Sequence, residues 1–212
     1  MTIEEKKIEL DKIAQEIREF TGLEIAKNCT NSVPGEGSPD TQILCIGEGP
    51  GHHEDQRGRP FVGVSGQLLR RTLSEIGISP ESVFITNIIK FRPPDNRDPD
   101  PSEIEACRDW LDRQIQIIEP KIIVTLGRFS MGKFLENVTI SRVHGLPRQI
   151  TFLDKTYILF PMFHPAAALR GTSMMNEFKN DFVKLKEFLE TVNQPVAIET
   201  NIEDNISQLG LF

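Results

Sequence analysis

The pattern of apolar and polar positions divides the chain into helices and short strands. Residues 3–20 carry apolar side chains near helical spacing with Glu and Lys between them, which predicts an amphipathic helix. Four short apolar runs have the length and composition of buried strands. These predicted strands are Ile43–Ile46, Val83–Ile89, Lys121–Leu126 and Tyr157–Phe160, and the last belongs to a predicted hairpin within residues 149–163.

Further helices are predicted after the strands. Ser65 is expected to cap one of them. The segment from Asp100 to Glu103 combines a capping aspartate, a proline and a glutamate three residues after the cap, which is typical of a helix start. Strands that alternate with helices predict a three-layer α/β/α sandwich around a mainly parallel four-stranded sheet. These helices are predicted over residues 65–76, 101–118, 127–135 and roughly 174–189.

The stretch from Leu44 to Leu69 joins a strand, a glycine turn, a polar loop and a helix. Its glycines allow main-chain N–H groups to line a pocket close to a ligand. Phe61 lies in a Gly-Arg-Pro-Phe-Val-Gly segment that we expect to be a structured loop. Elements in this order place a ligand at the carboxyl edge of a parallel sheet, although such turns serve many nucleotide and phosphate sites. The turn and polar loop consist of Gly47, Glu48, Gly49, Pro50, Gly51, His52, His53, Glu54 and Asp55.

Two more polar residues follow other predicted strands. Asn87 interrupts its apolar run near the end, where the amide is either tied into loop backbone or directed at a ligand. His164 follows the fourth strand and begins His-Pro-Ala-Ala-Ala-Leu-Arg-Gly, which is expected to be a loop. Because parallel strands share their carboxyl edge, we expect Asn87, His164 and the glycine turn to meet in one cleft.

Composition and charge are typical of a soluble protein. The chain has 212 residues, 38% hydrophobic and 26% charged, so we expect one domain over residues 1–190. Residues 191–212 are polar and acidic and are expected to form a flexible tail. No apolar run reaches the length of a membrane span and the N-terminus is too charged for a signal peptide, which favours a cytoplasmic location. A net charge of −7 argues against nonspecific coating of nucleic acid but allows a local basic groove.

The three cysteines do not suggest a metal site or a disulfide framework. Cys29, Cys45 and Cys107 are odd in number and lack paired spacing, so one chain cannot supply four thiolates from them. We interpret them as small buried apolar side chains.

Several long motifs, in the same order, resemble those of the family 4 uracil-DNA glycosylases. They are G-E-G-P-G followed by E-D, G-R-P-F-V-G and G-Q-L-L, then T-N-I-I-K with R-P-P-x-N-R-D-P, and then H-P-A-A-A-L-R. The resemblance covers about Val33 to Phe188. It implies an enzyme that flips uracil out of DNA and cleaves its N-glycosidic bond in base excision repair. None of the residues assigned to the pocket is a lysine that would form a Schiff base, so we expect a monofunctional enzyme that leaves an abasic site.

The resemblance also implies roles for individual residues. Phe61 would stack on uracil, Asn87 would bind its O4 and N3–H edge, and His164 would donate to O2. Glu48 is our choice for the residue that orients the attacking water, with Glu54 or Asp55 as alternatives. His52 and His53 either contact phosphate or are solvated loop residues. The base pocket is further assigned Gly47, Gly49, Pro50, Gly51 and Glu54, and DNA contacts are assigned to Ser65, Gly66, Pro165, the wedge Leu169 and Arg170.

One departure from the family pattern concerns its iron–sulfur cluster. Family members typically hold a four-iron, four-sulfur cluster with four cysteines. The corresponding positions here are Phe20, Leu23, Phe91 and Cys107. Because only one thiol remains, we predict that the protein has no cluster and no other cofactor.

A second resemblance lies at the C-terminus. Gln208, Leu209, Gly210, Leu211 and Phe212 form a pentapeptide similar to those by which bacterial DNA-processing proteins dock on the replicative sliding clamp. The alternative is that this apolar end folds back on the protein itself. We expect a monomeric, nucleoid-associated protein whose partners are uracil-containing DNA and the clamp.

Three other functions stay open at this point. The same fold could act on another base, such as hypoxanthine or mismatched thymine. The chain could be a non-catalytic damage-binding module recruited by the clamp. A third variant would form a covalent link to the abasic sugar through a histidine, for which His144 is the residue to test.

Overall fold

The computed structural model describes residues 1–193, which form helices on both faces of one central sheet. Within these residues the sheet has six strands in the order β1-β3-β2-β4-β6-β5. The α/β fold class predicted from the sequence is therefore confirmed. The strands are β1 Glu36–Gly37, β2 Ile43–Gly47, β3 Phe84–Asn87, β4 Ile122–Leu126, β5 Arg148–Phe152 and β6 Lys155–Met162.

The four predicted strands are the parallel centre of the sheet, and the structure adds two antiparallel edges. β3, β2, β4 and β6 are parallel to one another, whereas β1 pairs antiparallel with β3 and β5 pairs antiparallel with β6. β5 is the predicted hairpin arm. The predicted count of four strands omitted β1, because its two residues lie in a polar segment without an apolar pattern and are defined only by pairing with Phe84 and Ile85.

Helices of very different lengths connect the strands. None in the described part of the chain is both long enough and apolar enough to cross a bilayer. One-turn 3-10 helices occur at Pro80–Ser82 and Pro94–Asn96. The α-helices are α1 Ile3–Glu19, α2 Glu24–Asn28, α3 His52–Arg57, α4 Val64–Glu75, α5 Pro101–Ile118, α6 Arg128–Gly132, α7 Ile140–Val143, α8 Pro165–Ala168 and α9 Thr172–Asn193.

Several predicted boundaries differ from the observed ones. Ser65 is inside α4, and the N-cap is Gly63, so Ser65 does not cap the helix. The segments expected to be loops after β2 and β6 contain the short helices α3 and α8. α8 forms because Pro165 occupies its first position and His164 acts as its N-cap. α6 ends earlier than predicted, at Gly132.

The capping prediction for α5 is confirmed. Asp100 is the N-cap of the helix and Pro101 begins it. The Glu103 carboxylate accepts from the Asp100 N–H at 2.8 Å, which closes the predicted capping box.

Alternate side chains of the central strands form two apolar layers. Leu44 and Ile46 of β2 face α1 and α5, whereas Ile43 and Cys45 face α4 and α9. This alternation follows from the two-residue period of a strand and explains why the strands read as continuous apolar runs. The two layers fix the strand ends, from which the polar residues project.

The predicted tail lies almost wholly outside the described residues. α9 continues to Asn193, a few residues past the expected domain boundary at 190. The clamp-like motif with Gln208, Leu209, Leu211 and Phe212 is outside the described range.

Candidate active site

A pocket of about 240 Å³ opens at the carboxyl edge of the parallel strands. β2 leads into the glycine turn, β3 ends at Asn87 and β6 leads to His164, so the three predicted groups of residues meet in this cleft. The small volume suits a single ring better than a large ligand. The lining residues are Glu48, Gly49, Pro50, Gly51, Glu54, Phe61, Ser65, Asn87, Ile89, Pro93, Asn96, Arg97, Pro99, His164 and Ala166.

Phe61 is held rigidly in an unusual backbone conformation. Its φ of +51° lies in the left-handed region, which costs about 1 kcal/mol for a residue with a Cβ. Glu54 stabilises the loop by accepting from the N–H groups of Val62 and Gly63, both at 2.8 Å. The Arg70 Nε donates to the Phe61 carbonyl at 3.1 Å. The ring is 5% exposed, and its centroid lies 5.9 Å from that of His164.

Two glycines allow other groups to approach Phe61 closely. A Cβ on Gly66 would lie 2.0 Å from the Phe61 carbonyl carbon, so this position in α4 accepts only hydrogen. A Cβ on Gly47 would lie 2.5 Å from the Phe61 ring and 2.4 Å from Asn87 Oδ1. Gly66 and Gly47 therefore pack behind the pocket, and the role assigned to Gly66 in DNA binding stays a prediction.

Asn87 is almost completely buried at the end of β3. Its side chain is 1% exposed, and Oδ1 has no hydrogen-bond partner within the described residues. Its main-chain carbonyl accepts from Lys90 Nζ at 2.8 Å. A buried amide oxygen without a partner is costly, and a ligand that brings an N–H donor removes this cost. Of the two roles considered for Asn87, this arrangement favours ligand recognition.

His164 has its two ring nitrogens in different surroundings. Nδ1 accepts from the Ala166 N–H at 3.2 Å, so the proton of the neutral ring is on Nε2. Burial lowers the pKa of His164 from 6.5 to about 4, a change that the Glu54 carboxylate opposes and Arg170 supports. At neutral pH the ring is therefore an uncharged donor.

The three candidate carboxylates differ in their surroundings. Burial raises the pKa of Glu48, Asp98 raises it further and Arg128 opposes the change. The Glu54 carboxylate is engaged by loop N–H groups. Asp55 Oδ1 accepts from the N–H of Thr30 at 2.8 Å, and Asp55 is not among the pocket residues. Within the described residues, Glu48 is thus the pocket carboxylate that accepts no hydrogen bond from a main-chain N–H of the loops.

The remaining predicted residues are not among those that line the pocket, and their roles stay predictions. Leu169 is 47% exposed and Arg170 is exposed, whereas Pro165 is buried. His52 and His53 are exposed on α3, and His52 Nδ1 is 3.3 Å from the Arg92 guanidinium.

Sequence reasoning did not assign the wall formed by the proline-rich segment. Residues of this segment line the pocket directly after β3. The sequence did contain a signal, since the segment follows Asn87 and is rich in Pro, Asp and Arg. The residues missed in this way are Ile89, Pro93, Asn96, Arg97 and Pro99.

The positions corresponding to the family's cluster ligands do not fit such a group. Phe20 stacks on Phe91 with ring centroids 5.8 Å apart and meets Trp110 edge-on at 4.9 Å. Leu23 packs against the same core, and Cys107 is fully buried. Aromatic rings therefore occupy this region. Across residues 1–193, no three or more His, Cys, Asp or Glu side chains are grouped to hold a metal ion.

Comparison with known proteins gives consistent matches over most of the chain. The profile of the Uracil DNA glycosylase superfamily matches residues 34–190. A type-4 uracil-DNA glycosylase from Sulfurisphaera tokodaii is 46% identical over 188 residues, covering 86% of either chain. One from Saccharolobus solfataricus is 43% identical and covers 90% of either chain. A third, from Archaeoglobus fulgidus, is 42% identical and covers 84% of this chain and 92% of the relative.

Proposed function

The chain belongs to the uracil DNA glycosylase superfamily, and from this premise we propose that it excises uracil from DNA by hydrolysing the N-glycosidic bond. The observation that carries the proposal is the buried Asn87 Oδ1, which has no hydrogen-bond partner within the described residues and lies in a small pocket beside Phe61 and His164. The product would be free uracil and an abasic site, as in base excision repair. We also propose a cytoplasmic, nucleoid-associated location, where an enzyme with this substrate would meet DNA.

Recognition of the flipped base rests on Phe61 and Asn87. The Phe61 ring offers an apolar face for stacking. Asn87 Oδ1 accepts from the uracil N3–H, and its amide N–H donates to O4. Cytosine lacks a proton on N3 and presents an amino group instead of O4, so it mismatches both groups.

Bond cleavage rests on His164 and Glu48. As the bond between C1′ and N1 breaks, negative charge develops on uracil O2, and the neutral His164 Nε2–H donates to it. Such a preorganised donor contributes ~3 to 4 kcal/mol to the transition state. Water attacks C1′ and gives its proton to the Glu48 carboxylate, whose raised pKa favours that step. The departing base keeps the electron pair as an anion.

DNA binding and recruitment complete the proposal. Leu169 enters the space left by the flipped nucleotide, Arg170 and Ser65 contact the backbone, and the protein acts as a monomer. The C-terminal motif docks on the sliding clamp, a proposal that rests on the sequence alone.

We also propose that the protein folds and works without an iron–sulfur cluster. The aromatic packing of Phe20 and Phe91 supports this, because neither side chain ligates iron. The purified protein should contain no stoichiometric iron, and an iron chelator should leave its excision rate unchanged. Cys107→Ala removes the last family ligand and should also remain active. Iron bound in stoichiometric amount, or inactivation by chelation, would show that the proposal is wrong.

Excision from a labelled oligonucleotide with one deoxyuridine tests the main proposal. Alkali should cleave the strand only after incubation with the enzyme, because alkali reveals abasic sites. Cleavage without alkali would contradict the monofunctional mechanism. Asn87→Ala should lower the rate strongly, whereas Lys12→Ala, which changes an exposed residue of α1, should not. Binding of the oligonucleotide without any cleavage would favour the damage-binding alternative.

A further inference from the structure

A histidine and an aspartate outside the pocket form a hydrogen-bonded pair beside Phe163, the residue that precedes His164. His144 Nδ1 is 2.8 Å from Asp181 Oδ1 and 3.1 Å from Oδ2. The Asp181 side chain, on α9, is fully buried, whereas that of His144 is 16% exposed. His144 is not among the residues that line the pocket.

The pair contacts the residue that precedes His164 in two ways. Asp181 Oδ2 accepts from the Phe163 N–H at 3.4 Å. The His144 ring packs on the Phe163 ring with centroids 4.1 Å apart. Phe163 lies between the end of β6 and the N-cap of α8, so its placement decides where His164 projects.

The backbone beside His144 is built to bring the pair together. Gly145 has φ +67°, and its N–H donates to the Pro161 carbonyl at 2.8 Å. A Cβ at Gly145 would lie 2.4 Å from Asp181 Oδ1. Only glycine therefore allows the turn at residue 145 to hydrogen-bond to β6 while leaving room for Asp181 to contact His144.

We propose that His144 and Asp181 are positioning residues that act through Phe163 to hold His164 in its productive place. This inference rests on the proposed excision reaction, but the contacts that carry it are independent of it. The Asp181 carboxylate is the shared acceptor for His144 and for the Phe163 N–H. Loss of His144 leaves this carboxylate buried with one partner fewer and removes the ring that packs on Phe163. His164 then loses part of its alignment with the base, and poor alignment of a reacting group lowers rate more than binding.

A double-mutant cycle under single-turnover conditions tests the proposal. His144→Ala should lower the excision rate about tenfold, while the affinity for abasic product DNA changes less than about twofold. His144→Asn places an amide N–H near the position of Nδ1 and should recover most of the rate. Lys179→Ala, an exposed residue of the same helix as Asp181, is the matched control and should behave as the wild type.

The decisive comparison uses the His164→Ala background. If His144 acts through His164, adding His144→Ala there should change the remaining rate less than about twofold. If His144→Ala lowers the excision rate by the same factor in the wild type and in His164→Ala, the proposal is wrong and His144 has only a general effect on stability.

Amide hydrogen exchange provides a readout that does not depend on activity. The Phe163 amide should exchange faster in His144→Ala than in the wild type or His144→Asn, while amides of β2 stay protected. Unchanged exchange of the Phe163 amide in His144→Ala would refute the inference, whether or not the wild type excises uracil. If this amide exchanges faster in His144→Ala but the wild type shows no excision, only the proposed reaction is refuted.

Discussion

The low pKa of His164 leads to a prediction with a defined size. Its value of about 4, compared with 6.5 for an ordinary histidine, corresponds to about 3 kcal/mol, because one pKa unit is roughly 1.4 kcal/mol. We expect the ring to stay neutral from pH 8 down to about pH 5. Its donation to a departing uracil anion should therefore persist well below pH 6.5.

The same pKa predicts how stability depends on pH. In the unfolded chain the residue takes up a proton below pH 6.5, but in the folded protein only near pH 4. The contribution of His164 to the free energy of unfolding is therefore fully present above pH 6.5 and falls as the pH decreases towards 4. Between pH 7 and pH 5 the wild type should lose about 2 kcal/mol relative to His164→Gln, which has no titrating ring.

Two measurements check this prediction. Histidine ¹⁵N chemical shifts followed from pH 8 to pH 4 give the ionisation of His164, with His52→Gln, His53→Gln and His144→Gln used to assign the other three signals. Urea unfolding at pH 7 and pH 5 gives the stability difference. A His164 that titrates near pH 6.5, with no stability difference from His164→Gln, would refute the account of a desolvated neutral donor.

Three further predictions concern the pocket, the core and the tail. Gly47→Ala should lower the excision rate strongly, since its Cβ would collide with Phe61 and Asn87; wild-type kinetics in a folded variant would contradict this. Lys90→Met should lower the free energy of unfolding by about 2 kcal/mol in urea, because three acceptors lose their donor. Burial lowers the Lys90 pKa from 10.5 to about 7, so between pH 7 and pH 10 the unfolded chain binds more protons than the folded protein. The free energy of unfolding of the wild type should therefore rise over this range relative to that of the Met variant. An equal pH dependence in the two proteins would contradict this pKa. Phe212→Ala should abolish clamp binding measured by surface plasmon resonance, and retained binding would exclude the docking motif.

Much of the fold could be predicted because its central strands are buried on both faces. Continuous apolar runs mark such strands, and parallel strands bring Asn87, His164 and the glycine turn to one edge. The capping box at Asp100 is a local sequence signal and could also be predicted. β1 could not be predicted from the sequence, because only its pairing with β3 defines it.

The supporting contacts of the site depend on distant parts of the chain. Asp181 contacts His144 across 37 residues, and no local pattern in α9 indicates that a buried aspartate also contacts Phe163, next to His164. Glu54 was considered for water activation, but its contacts with Val62 and Gly63 tie it to the Phe61 loop. Such details need the folded structure because hydrogen-bond partners are set by tertiary packing.

The identity of the released base is the most direct test of the central claim. Mass spectrometry of the small products should detect free uracil when the wild type acts on DNA containing deoxyuridine. Matched DNA containing thymine or hypoxanthine should release no base, and Asn87→Ala and His164→Ala should release uracil far more slowly than the wild type. Release of another base in preference to uracil, or no release at all, would contradict the account.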